Sequence, residues 1–420
     1  MASSVSISRL THLATSIVES VAVLEEMLSK QGYPSPTFDE DAPALLPKDT
    51  VKVRDLIVDA AAEVQDLLQG PLDIIYRHGS FNNCVSLQLI SRFKIASLVP
   101  SGGKTTYAEI AQSTGLQENA VRRTLRHAMT MRVFREPEPG MVAHTQASKS
   151  LMDPVANDWV GCGTEEMWQT STRMVDALQK WPGTQEPNET AFALFNGTDE
   201  SIYQVLGENP KRANRFANCM KAYMSMQEYN ASHVVNNYDW ESLGPVKLVD
   251  VGGGTGHVTM ELTKAFPRIS VVVQDMEKMI EGAEANIPAE LKDRFEFMVQ
   301  DLFAPQTVQA DVYFLRWVFH NWTDKYCALI LKALIPALKP GARVIINETC
   351  MPEPGGIAHW REKYLRSFDL VMTGCFASHE RSLDEWKALL AGVDPRFIFQ
   401  KVGESDDSAL AIMEFVWVQD

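Results

Sequence analysis

His320 lies in Arg316-Trp-Val-Phe-His-Asn-Trp-Thr-Asp324, directly after the apolar run Asp311–Leu315. Glu348 closes the next apolar run, Ala342–Asn347. Histidine is the usual general base near neutral pH, and a carboxylate on its other ring nitrogen fixes the tautomer and stabilises the imidazolium. Three more carboxylates end or follow apolar runs: Asp250 in Leu248–Val251, Asp275 after Ile269–Gln274, and Asp301 after Phe295–Val299. One acidic residue at such a place is commonplace. Four of them, with Arg316 at the end of its own run, describe a site if one fold brings the run ends together.

The stretch Val246-Lys-Leu-Val-Asp-Val-Gly-Gly-Gly-Thr-Gly-His-Val-Thr-Met-Glu261 shows how it could. Leu248–Val251 reads as a buried strand, the glycines as a tight turn, and His257–Phe266 as a helix. Strand, glycine turn and helix place backbone N–H groups and a helix N-terminus against a ligand. A dinucleotide fingerprint wants glycine at its first, third and sixth positions. Gly252 and Gly254 satisfy two of these, but the sixth position is His257. Asp250 would repel a pyrophosphate and suits a cationic amino-acid group, while Asp275 can accept from both hydroxyls of a ribose. The pattern fits S-adenosylmethionine (SAM) better than NAD.

The remaining elements supply the frame. Strand–helix alternation from residue 246 onward, closed by two strands at Phe397–Val402 and Ala409–Val418 that suit an antiparallel hairpin, predicts an α/β fold with a doubly wound parallel sheet. Ligands in such sheets sit beyond the strands' C-terminal ends, where Asp250, Asp275, Asp301, Arg316 and Glu348 all fall. Upstream, amphipathic spacing predicts helices over 7–30, 51–70, 71–76 and 85–98, with a proline-bearing linker over 33–49. Thr106 caps a short helix (107–113), Gly115 turns, a second helix covers 118–131, and Phe134–Thr145 reads as a β-ribbon. That is a winged-helix pattern, which raises DNA binding. Residues 101–150 carry only seven Lys/Arg against four Asp/Glu, in a chain of net charge −15, and a DNA reader needs a more basic face. The module is expected to be a dimerisation scaffold, and the first helix, with few partners of its own, to pack on a second subunit. Residues 158–245 read as helical and rich in Met and aromatic residues, among them Met167, Trp168, Met174, Phe192, Phe195, Tyr223 and Met226. Most must be core, and a few would line a cleft for a flat aromatic substrate. The expected division is an N-terminal domain at 1–150 and a catalytic domain at 151–420, with substrate-lining helices at 158–245.

With 420 residues, 45% apolar and 22% charged, the chain is an ordinary globular one with room for more than one domain. Its acidity argues against binding nucleic acid or anionic membrane, and no apolar run reaches the length of a membrane span. The N-terminus lacks a signal-peptide pattern, so a cytoplasmic location is expected. The six cysteines form no C-x-x-C pair and are expected to be reduced.

Five stretches together resemble the SAM-dependent O-methyltransferases of the plant caffeate and fungal secondary-metabolite type: Val249-Asp-Val-Gly-Gly-Gly-Thr-Gly256, Gln300-Asp-Leu-Phe303, Leu315–Asp324, Asn347-Glu348 and Glu380-Arg-Ser-Leu-Asp-Glu-Trp386. The resemblance runs from about Leu87 to the C-terminus. It implies a Rossmann-like class I methyltransferase fold behind a mainly α winged-helix dimerisation domain, and a homodimer swapped through that domain. The family's base falls on His320 and its two flanking glutamates on Glu348 and Glu380. Its cofactor residues fall on Gly252, Gly253 and Gly254, on Asp275 for the ribose, on Asp301 and Leu302 for the adenine, and on Arg316 near the methionine moiety, where the family usually has Lys. No metal is implied. The usual Gly-Gly-Lys-Glu-Arg-Thr is Ala377-Ser-His-Glu-Arg-Ser382 here, and the usual His-Asp-Trp is His320-Asn-Trp. His379 is a candidate substrate contact or a plain loop residue, and His144 is expected to be structural.

The activity expected is methylation of a phenolic hydroxyl of an aromatic, polyketide-like metabolite, with His320 as base. The alternative is a SAM-binding relative that catalyses a pericyclic or dehydration step. Such relatives carry a cation at the base position, so His320 with both glutamates argues for methyl transfer.

Overall fold

The structure is a computed structural model that describes residues 7–419 apart from 404 and 406. It divides into two compact units: one of residues 1–169, 206–222 and 355–364, the other of 170–205, 223–354 and 365–420.

The first unit is mainly helical. Its first helix, Arg9–Lys30, is capped by Ser8, whose hydroxyl accepts from Thr11 N, and packs on the helix Val51–Leu68. The capping box at Thr106 is present: Thr106 and Glu109 satisfy each other's backbone N–H at the start of Tyr107–Thr114. Two sequence expectations need correction here. The helix expected over 85–98 is Asn82–Arg92, because Lys94 takes a left-handed conformation (φ +49°) and Ile95–Leu98 tightens to a 3-10 turn. The ribbon expected within 134–145 instead pairs β1 (Lys104–Thr106) with β2 (Met141–Ala143), antiparallel. Residues 134–140 add only an Arg135–Ala143 bridge. Pro137 and Pro139 cannot donate to a ladder, and Phe134 is left-handed at φ +65°. His144 is buried, its ring nitrogens 3.0 Å from Ser148 Oγ and Val99 O, so it is structural.

The second unit is built on a seven-stranded sheet: β3 (Val246–Val251), β4 (Ile269–Asp275), β5 (Phe295–Val299), β6 (Val312–Arg316), β7 (Arg343–Glu348), β8 (Phe397–Gly403) and β9 (Ala411–Trp417). The order is β5-β4-β3-β6-β7-β9-β8. The first five are parallel, and β9 and β8 are added antiparallel. Side chains alternate between two cores. Val249, Val251, Tyr313, Leu315, Val344 and Ile346 face one side with Cys327, Ile330 and Leu331 of the helix Asp324–Leu334. Leu248, Val271, Val273, Phe314 and Ile345 face the other with Val258 and Leu262 of the helix His257–Ala265. Both faces are covered, which is why the strands read as unbroken apolar runs. Full burial of each such aliphatic side chain contributes about 1.5–3 kcal/mol. The strand order reverses between β3 and β6, so the crevice at their C-terminal ends opens beside Gly252 and Trp317. Among the described residues no helix is long and apolar enough to cross a membrane.

Candidate active site

At the end of β6 the chain turns sharply. Trp317 is left-handed (φ +54°), and the 3-10 turn Phe319–Asn321 then points His320 inward. The His320 ring is stacked on Trp317 (6.3 Å between centroids, 10° between planes) and flanked by Phe368 at 6.2 Å. Its Nδ1 lies 2.9 Å from Glu380 Oε1, and with a carboxylate as acceptor the proton belongs on Nδ1. Nε2 has no hydrogen-bond partner among the described residues.

Glu348 acts on the turn rather than on the ring. Its Oε1 accepts from Val318 N (2.7 Å) and Phe319 N (2.9 Å). Glu380 is held in turn through its own backbone N–H, which donates to Asp369 Oδ1 at 2.7 Å. The second carboxylate oxygen of both glutamates is buried with no hydrogen-bond partner among the described residues. Burial pushes Glu348 up to about 7, and the neighbouring Glu380 adds to this, against the pull of His320 and the two amides. For His320, burial opposes the charged form, but the two carboxylates outweigh it and raise the pKa above the usual value.

The glycine turn lies on the other side of the crevice. Asp275 accepts from Gly254 N at 2.8 Å and from Met276 N at 2.7 Å. Asp250 is buried with Thr259 Oγ1 donating at 2.6 Å, and its carboxyl is pushed up to about 7 by burial, with Asp275 contributing. Close packing dictates two of the three glycines 252–254. A Cβ on Gly253 would stand 2.4 Å from the Asp250 carboxylate, and one on Gly252 would meet Val318 at 2.9 Å. Gly254 instead faces open space, where a ligand can approach the backbone. Asp301 Oδ1 accepts from Phe303 N at 2.9 Å and shapes the turn that presents Leu302. Arg316 donates to Asn347 Oδ1 and to Tyr229 O, and lies over the Trp317 ring. Burial lowers its pKa to about 10. The structure thus brings His320, Glu348 and Glu380 together, and ties the glycine turn to Asp275.

Of the aromatic and methionine residues expected to line a cleft, Phe192 is wholly core, while Tyr223 packs edge-on against Phe368, the ring beside His320. Met174, Trp181, Thr373 and Ala377 line a cavity of about 110 Å³. His379 lines a second cavity, of about 290 Å³, with Arg366, Asp369 and Glu380. Sequence reasoning missed Asp369 and Arg381. Asp369 lies among hydrophobic helix residues with no motif around it, and an arginine in a polar loop reads as a surface residue.

A buried carboxylate just before the glycine turn, a second carboxylate tied to that turn, and an open backbone face at Gly254 are compatible with the amino-acid and ribose parts of SAM. Fold and site together define a class I methyltransferase that uses S-adenosylmethionine. An O-methyltransferase domain profile matches residues 178–394. The chain is 38% identical to "O-methyltransferase PaMT" of Phomopsis amygdali over 98% of this chain and 97% of that one. It is 36% identical to a chlorophenol O-methyltransferase of Trichoderma longibrachiatum, over 98% and 90% respectively. Among solved structures, that of OxaC in complex with SAH and oxaline superposes with a TM-score of 0.75 at 19% identity, covering 98% of this chain and all of that one, which shows the fold. The chain belongs to the O-methyltransferase family and is a SAM-dependent O-methyltransferase.

Proposed function

We propose that the acceptor is a phenolic hydroxyl of an aromatic, polyketide-like secondary metabolite and that His320 is its general base. The observation that carries this reading is the divided use of the His320 ring: Nδ1 is engaged by Glu380, and Nε2 has no hydrogen-bond partner among the described residues. An imidazole whose Nδ1–H is fixed can only accept a proton at Nε2. The similarity to a chlorophenol methyltransferase supports a phenol as acceptor.

When bound, SAM supplies an electrophilic methyl group on a sulfonium. The chain's own residues then have three tasks. The Gly252–Gly254 turn, Asp275, Asp301, Leu302 and Arg316 would hold the cofactor. His320 takes the hydroxyl proton, so that a phenolate oxygen faces the methyl. Glu380 and Glu348 stabilise the imidazolium formed, Glu380 through the ring and Glu348 through its charge and its grip on the turn. Trp317 and Phe368, both beside the ring, would keep water from it.

The N-terminal helices support a homodimer. Val18, Leu68, Leu72, Ile75, Tyr76 and Phe81 are all more than 60% exposed, an apolar surface that a second copy of the chain would cover.

The test is incubation with methyl-labelled SAM and a panel of phenolic polyketides and flavonoids, with His320→Ala and Glu348→Gln in parallel. Label in a product together with a large rate loss in His320→Ala is the expected outcome. Undiminished turnover in His320→Ala would remove His320 as base.

A further inference from the structure

We infer that Arg381 is the positioning residue that sets the His320–Glu380 hydrogen bond, an inference that rests on His320 being the base. Arg381 is 1% exposed and directly follows Glu380. Its guanidinium reaches back to the turn that carries His320 and binds it on both sides of the histidine. Nη1 donates to Phe319 O at 3.3 Å, and Nη2 donates to Trp322 O at 2.9 Å. Nε and Nη2 also donate to Asp324 Oδ1, at 2.9 and 2.7 Å, where the helix Asp324–Leu334 begins. The guanidinium lies over the Trp386 ring at 5.2 Å, and Arg381 O accepts from Met351 N beyond the end of β7.

Two consecutive residues therefore act on one turn. Glu380 holds the imidazole, and Arg381 holds the backbone that carries it. The need for such a clamp lies in the backbone itself. The base turn contains left-handed Trp317, and the loop before Glu380 contains left-handed Ala377. Non-glycine residues stay in that conformation only when their surroundings over-determine it. Glu348 secures the first half of the base turn through the Val318 and Phe319 amides, and Arg381 secures the second half through carbonyls. The planar fork is what allows one side chain to reach three acceptors, and a lysine ammonium cannot cover all three at once. Without the clamp, the side-chain hydrogen bonds that join the two loops among the described residues are the His320–Glu380 bond and that of Ser378 Oγ, which donates to Trp322 O at 2.7 Å. A shift of about 1 Å at a reacting group costs on the order of a hundredfold in rate.

The experiment compares Arg381→Met, Arg381→Lys, Asp324→Asn and His320→Ala with the wild type, with labelled SAM, a phenolic acceptor turned over by the wild type, and histidine ¹⁵N NMR. The His320 signals are assigned by their loss in His320→Ala. Arg381→Met is expected to bind SAM as the wild type does and to keep acceptor KM within about threefold, while kcat falls about a hundredfold. The His320 signals should move from a single Nδ1–H tautomer to a mixture. Arg381→Lys should recover part of the loss, and Asp324→Asn, which leaves the carbonyl contacts in place, should lose only several-fold. Unchanged kcat and tautomer in folded Arg381→Met overturn the proposal. If Arg381→Met does not fold, unchanged kcat and tautomer in Asp324→Asn overturn it, and a several-fold loss with tautomer mixing supports it. Full turnover in His320→Ala is a different result, which removes the base assignment itself.

Discussion

Glu380 Oε1 accepts a hydrogen bond from His320 Nδ1 over 2.9 Å, and the carboxylate side chain is wholly shielded from solvent. With His320 as the proposed base, this pair would set which ring nitrogen meets the acceptor. Glu380→Gln can present an amide N–H to Nδ1 and favour the opposite tautomer, with Nε2 protonated. Methyl transfer should then fall about 10²–10⁴-fold, as it should in His320→Ala. Calorimetric SAM affinity should stay close to wild type in both, and a matching loss of affinity would point to a collapsed site instead.

The same pair governs the pH profile. As the proposed base His320 would have to be neutral, so kcat/KM should rise with pH through its pKa, and the two carboxylates hold that pKa above the usual histidine value against the effect of burial. Glu348→Gln removes one of them. The acid limb of the profile should move to lower pH, and a limb that stays in place would mean that another group titrates there.

A cofactor whose cationic amino-acid group meets Asp250 would bind in a pH-dependent way. Burial raises its carboxyl to about 7, so below about pH 7 the free protein holds a proton there. A bound cation lowers that pKa and expels the proton. Affinity should therefore rise with pH up to about 7 and then level. Calorimetry at pH 6 in buffers of different ionisation enthalpy should show proton release, and Asp250→Asn should abolish it.

Ala377 occupies a left-handed conformation (φ +54°) with an L side chain. Such a conformation costs about 1–2 kcal/mol, while a glycine here would add about 0.4–1 kcal/mol of unfolded-state entropy. Ala377→Gly should therefore stabilise by about 0.5 kcal/mol, within the span of those two effects. A β-branched Ala377→Val should destabilise by more than 1 kcal/mol. Urea unfolding of the three proteins checks the order.

The exposed apolar surface of the N-terminal helices predicts a dimer. Sedimentation should give twice the chain mass, and Leu72→Glu with Ile75→Glu should shift it toward the monomer. A wild-type monomer at micromolar concentration would remove the dimer.

Much of the catalytic unit was legible because its residues obey local rules. Apolar runs such as Val246–Val251 and Ile269–Asp275 become parallel strands covered on both faces, and Gly252 and Gly253 are required by contacts with Val318 and Asp250. His320 and Glu348 could be placed because strand ends converge whatever the side chains do. The division of labour could not be read. The sequence suggested that Glu348 would meet the histidine ring, whereas it binds the turn and Glu380 takes the ring. Hydrogen bonds between loops some 60 residues apart leave no periodic trace. Nor does the buried Arg381, whose neighbours Ser378, His379 and Glu380 suggest a solvated loop. In the wing, two prolines and a left-handed phenylalanine outweighed alternation.

The place of β9 bears on how the protein matures. β9 inserts between β7 and β8, and its Ala411 pairs directly with Glu348. Until β9 has left the ribosome, the strand that ends in Glu348 has β6 on one side and bare backbone groups on the other. The half of the sheet from β3 to β5 can fold during synthesis while the half that carries His320 and Glu348 waits for β9. A nascent chain stalled before residue 411 is therefore expected to form the glycine turn without the finished base.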